Sequence, residues 1–181
     1  MSDSDEAVSS AVETLIEHIQ ADAGDQTLID DFTALAASLD LWCRSHPVRV
    51  SMPGIDGAPD WYQHEMTAWA TCERTRSIAN ASPRARSALR DNPQTLEEFV
   101  ALESLGKGRQ AWAAFALDLG GAATAERLAA HLGDEDVQAI VLKGLSRHRV
   151  PGHSSSAREI ADSGRTGVAR SNAKKYLRLG L

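Results

Sequence analysis

Features that announce a chemistry or a compartment are scarce in this sequence. There are two cysteines, Cys43 and Cys72, too few for the disulfide framework of a small secreted domain. Aromatic residues make up 5% of the chain, which leaves little material for a platform on which single-stranded bases could stack. No apolar run approaches the roughly 18 residues needed to cross a bilayer. The opening MSDSDEAVSS is acidic, whereas a secretory leader starts with positive charge and runs into an apolar stretch. Together these absences lead to the expectation of a reduced, cytoplasmic protein with no membrane partner.

Catalytic and cofactor signatures are missing as well. LGKGRQA (Leu105 to Ala111) offers G-x-G-x-x-A, but it follows a helical pattern rather than a strand, so it lacks the turn that seats a pyrophosphate. Gly106–Lys107 is followed by Gly108 rather than Ser or Thr, and GHSSS lacks the spacing of a nucleophile elbow. Cys43, His46, His64 and Cys72 are candidate metal ligands by type. The seven residues between His64 and Cys72 exceed the usual ligand spacing, and Cys43 sits in an apolar stripe beside Trp42. No catalytic residue, cofactor, metal or small-molecule substrate is therefore expected. A pocket with convergent polar groups near Trp61, Trp69 and Trp112 would revive an enzymatic reading.

What the chain has is helical periodicity and segregated charge. With 43% hydrophobic residues, 181 positions suffice for a real core. The stripes Val8, Val12, Leu15, Ile16, Ile19 and Leu28, Phe32, Leu35, Leu39, Trp42 follow the spacing of amphipathic helices. They predict helices over about 5–21 and 27–45, the second capped by Thr27. SHPVRVSMPGIDGAPD then breaks the pattern, with Val48–Arg49–Val50 as one brief extended stretch. Further helices are expected from Trp61 to about Asn80, after the Ser82–Pro83 and Asn92–Pro93 pairs, and across RQAWAAFALDLGG up to its glycine pair. The fold class expected is all-α: a multi-helix bundle with a basic C-terminal unit. Its divisions are an acidic helical pair (1–45), a loop (46–60), a helical core (61–149) and a C-terminal unit or tail (150–181).

The net charge of −6 conceals a polarity. Met1 to Cys43 holds ten acidic residues and no Lys or Arg, a charge of −10, while Leu142 to Leu181 holds nine basic and two acidic residues, a charge of +7. A basic cluster on one element is the electrostatic footprint that nucleic acid requires. A second basic cluster (Arg74, Arg76, Arg84, Arg86, Arg90) is read mainly as a partner for the N-terminal carboxylates.

Two stretches approach a helix-turn-helix. Thr124 to Leu145 has suitable apolar spacing, but its turn is Asp134–Glu135–Asp136, which phosphates repel, and Ile140 and Val141 occupy its outward positions. It reads as a structural hairpin enclosed by protein. Ser156 to Leu181 has the better chemistry. Val168, Ala173, Tyr176 and Leu177 are expected inside, and Arg170, Ser171, Lys174, Lys175 and Arg178 outside. These last 25 or so residues resemble a generic helix-turn-helix DNA-binding unit, although Ala161 to Gly167 is about two residues longer than the usual turn. The resemblance implies contact with duplex DNA through Arg165, Thr166, Arg170, Ser171, Asn172, Lys174, Lys175 and Arg178.

The function expected from these features is a small DNA-binding regulatory or accessory protein, acting as a homo-oligomer or with a protein partner. Its acidic helices would provide dimerisation or protein contacts. The competing expectation is a helical adaptor, assembly subunit or chaperone whose basic tail binds protein instead of DNA.

Overall fold

The computed structural model describes residues 3–46, 60–163 and 167–181, and among them the only regular structure is helical. Helices α1 (Asp3–Gln20), α2 (Asp25–Ser45), α3 (Asp60–Ala81), α4 (Pro83–Asp91) and α5 (Pro93–Ala101) are followed by a 3-10 stretch, Glu103–Gly108. Then come α6 (Arg109–Leu128), a 3-10 turn (Ala129–His131), α7 (Gln138–His148), α8 (Ser154–Asp162) and α9 (Gly167–Arg178). No described helix is long and apolar enough to cross a membrane. The all-α class expected from the spacing is the class observed. Val48–Val50 lies outside the described residues.

Several ends follow from local chemistry. Pro83 and Pro93 open α4 and α5, where a missing N–H costs nothing, and the Ser82 hydroxyl accepts the Ala85 amide at 3.1 Å. At Gly121 the backbone leaves the helical region (φ 59°), a conformation glycine adopts without steric penalty, so α6 is interrupted at the glycine pair. Thr27 does not cap α2. That helix starts two residues earlier, with Gly24 in extended geometry as its cap and Asp25 in its first turn, because the chain turns at Asp22 (φ 52°) and re-enters helix directly.

The chain forms two compact units, Met1–Trp112 and Ala113–Leu181, with the boundary inside α6. This division differs from the one expected at 46–60. The acidic pair α1–α2 packs against α3, α4 and α5 in one unit. Leu15, Leu28, Phe32, Leu35 and Leu39 lie in its core with Phe99 and Trp112. Phe99 stacks on Trp112 (centroids 4.2 Å apart), and Phe32 meets the same indole edge-on. Polar bonds pin α1 to α2 at both ends: His18 Nδ1 lies 2.7 Å from Asp31 Oδ2, and Trp42 Nε1 donates to Asp5 Oδ1 at 2.8 Å. Arg84 pairs with Asp25 at 3.0 Å and Arg76 with Glu73 at 2.9 Å. Of the second basic cluster, Arg84 thus meets an N-terminal carboxylate, whereas Arg76 pairs within its own helix.

In the second unit α9 packs on both α7 and α8, so the residues from 150 onward share a core with α7 rather than standing apart. Leu128, Leu132, Val141 and Leu142 are buried, and Ile140 is half-buried. The enclosed hairpin expected for Thr124 to Leu145 is therefore enclosed. Its acidic turn closes on itself, Asp134 Oδ1 accepting the Asp136 amide at 3.0 Å.

Candidate nucleic-acid interface

Helix α9, GVARSNAKKYLR, contains no carboxylate. Its inner line is Ala169, Ala173 and Tyr176, at i, i+4 and i+7, all fully buried. Two alanines in that line let the helix approach α7 and α8 closely. Tyr176 then locks it in place: its hydroxyl donates to the Val150 carbonyl at 2.7 Å and accepts the His153 amide at 3.2 Å. Ser154 Oγ adds a bond to the Leu181 carbonyl. At the C-terminal end Gly180 takes a positive φ of 67°, and the amides of Leu179 and Gly180 bond back to Tyr176 and Leu177. Lys175 and Arg178 in the last turn also suit the negative end of the helix dipole.

The inward set differs from the expected one at its first member. Val168 is 65% exposed, and Ala169 holds the inner position. A residue one place along a helix is rotated by about 100°, and a helix wedged against two neighbours selects the smaller side chain for the tight side. The i, i+4, i+7 relation of Ala169 to Ala173 and Tyr176 was visible in the sequence, but hydropathy favoured Val168. Leu177 is half-buried, while Ala173 and Tyr176 face inward as expected.

Of the eight expected contact residues, Arg170, Ser171, Lys174, Lys175 and Arg178 are exposed. No ion pair among the described residues involves any of the four cations. Arg178 Nε reaches only the backbone carbonyl of Lys174 at 3.3 Å. Asn172 is placed differently. Its side-chain amide donates to the Ala139 carbonyl on α7 at 2.8 Å and is half-buried, so it ties α9 to α7 instead of facing outward. Arg165 and Thr166 lie outside the described residues. The link between α8 and α9 is shorter than expected, because α8 runs on to Asp162 and leaves four positions, 163–166.

The other candidate sites do not assemble. His46 and His64 come together (ring centroids 5.0 Å) beside Trp42, yet among the described residues no three His, Cys, Asp or Glu side chains are placed to hold a metal ion. Burial pushes both the Cys43 and Cys72 thiols up to about 12, with the Asp40 carboxylate adding to the effect at Cys43. Trp112 is fully buried, stacked on Phe99, whereas Trp69 is 40% exposed. Trp61's side chain is outside the description. A groove of about 270 Å³ in the first unit lies beside Trp42 and is lined by two carboxylates, Asp5 and Glu13, of which Asp5 holds the Trp42 indole N–H. The chain matches no protein-family model, and no curated protein or solved structure shows significant similarity to it.

Proposed function

We propose that this protein is a DNA-binding regulatory or accessory factor that holds duplex DNA through the outward face of α9. The carrying observation is the state of that face. Arg170, Lys174, Lys175 and Arg178 are exposed, no carboxylate interrupts them in the helix, and none is spent on an ion pair within the described residues. Cations left solvated on a rigid helix suit phosphates, whose contacts release counterions and supply sequence-independent affinity. Two further features support the reading. α9 is braced from behind by α7 and α8, which turns its cationic side away from the core. The four-residue separation of α8 and α9 lies within the three to four residues that join the helices of a helix-turn-helix. The partly exposed Met66 and Trp69, one turn apart on α3, suit the protein contacts or dimerisation that a single small DNA-binding unit needs for useful affinity.

Titration of a mixed-sequence duplex across a salt series tests this. Four phosphate contacts predict a log–log slope of affinity on salt of about −3.6, from ~0.9 per contact. Absence of binding even at low salt would overturn the proposal and direct attention to a protein partner for the same helix.

A further inference from the structure

An exposed valine in the first turn of a cationic helix is out of keeping with its surroundings. Val168 is the most exposed large apolar side chain among the described residues, ahead of Leu41, Met66, Leu179 and Trp69. Within α9 its neighbours along the helix are Ser171 (i+3), the half-buried Asn172 (i+4) and Lys175 (i+7), all polar or charged. On the helical wheel Val168, Ser171 and Lys175 stand at i, i+3 and i+7, one strip along the helix. Before it stands Gly167, beside which a Cβ would meet nothing within 4 Å.

Resting on the DNA-binding reading above, we infer that Val168 reads bases by packing on the 5-methyl group of thymine in the major groove. The strip then divides its labour along its length. The N-terminal turn, with Val168 and Ser171, meets base edges, and Arg170, Lys174, Lys175 and Arg178 meet phosphates. The chemistry favours thymine because its methyl is the one apolar group that a base pair presents in that groove. A branched aliphatic side chain held by a rigid backbone contacts it without losing a hydrogen bond. Ser171, one turn on, supplies a hydroxyl that donates or accepts at either neighbouring base.

The test uses the full-length chain and a duplex recovered by selection from a randomised pool. Each thymine of that duplex is replaced in turn by deoxyuridine, which deletes the methyl and keeps the pairing. The wild-type chain should lose about fourfold in affinity at one position, the effect of removing one buried methyl. Val168→Ala should bind the thymine and deoxyuridine forms equally there. Because Val168 is exposed and alanine favours helix, this variant keeps the fold. Binding with no thymine preference, or a preference that persists in Val168→Ala, overturns the inference while leaving the DNA-binding reading intact. No binding to any duplex removes both.

Discussion

The two units of this chain use their charges in opposite ways. The first, Met1–Trp112, carries eighteen acidic and nine basic residues, a charge of −9. Several of its carboxylates are bonded within the unit: Asp5 holds the Trp42 indole, Asp31 holds His18, Asp25 holds Arg84, and Asp40 takes bonds from Arg44 and Ser104. Burial works to raise the Asp40 carboxyl, but those two hydrogen bonds and the Arg44 charge hold it below the ordinary carboxylate range. The second unit, Ala113–Leu181, carries ten basic and seven acidic residues, a charge of +3; Arg147 pairs with Asp118 there, but among the described residues no ion pair takes up the cations of α9. A charged residue that is already bonded inside its unit reports on architecture. One that is exposed, unpaired and held on a braced helix is available to a ligand.

That contrast can be broken experimentally, and the largest effect belongs to the brace. Tyr176→Ala removes a fully buried ring and both bonds of its hydroxyl, so it should destabilise the second unit by about 3–5 kcal/mol. Thermal or denaturant unfolding measures this, and a loss below ~1 kcal/mol would mean that Tyr176 does not hold α9 in place. Next comes the charge itself. Lys174→Glu/Lys175→Glu should weaken duplex binding by about 100-fold at moderate salt, two phosphate contacts being lost. Arg84→Glu/Arg86→Glu in the first unit should change it less than twofold, because Arg84 is committed to Asp25 and Arg86 to Asn80. Equal losses from the two pairs would erase the distinction between bonded and available charge.

The thiols of the first unit sharpen the comparison from the side of stability. Cys43 and Cys72 stay protonated in the folded chain up to about 12, against an ordinary value of 9.0. The unfolded chain therefore releases these protons first, and stability is intact below about pH 9 and declines as pH rises towards 12. At pH 10 the loss is on the order of 1 kcal/mol per thiol. Denaturant midpoints at pH 8 and 10 check this, and Cys43→Ala/Cys72→Ala should flatten the difference. The smallest effect is at Asn172. Its alanine variant loses one bond to the Ala139 carbonyl, so it should cost about 1 kcal/mol of stability and leave the salt slope of DNA binding unchanged. A shallower slope would return Asn172 to the contact surface.

Much of the fold was legible because helix formation is local. The apolar spacing of α1 and α2, the Ser82–Pro83 and Asn92–Pro93 starts and the break at Gly121 each depend on residues within a few positions of one another. At the candidate site the outward cations were legible for the same reason: in a helix with alanine and tyrosine on one side, lysine and arginine take the other. Val168 and Asn172 were not legible. Both lie on the flanks of α9: the spacing of Ala169, Ala173 and Tyr176 allowed Val168 to face out and hydropathy allowed it to face in, and the approach of α7 and α8 decided between them.

By itself, then, the sequence determined the helices, the Ser82–Pro83 and Asn92–Pro93 starts and the segregation of acidic from basic segments, since these follow from backbone propensity, side-chain period and composition. Only the tertiary structure decided that the chain divides inside α6 and that α7 shares a core with α8 and α9. It alone turned Asn172 inward and left Val168 in solvent. The physical reason is that burial belongs to a pair of surfaces, and the second surface comes from residues distant in the chain.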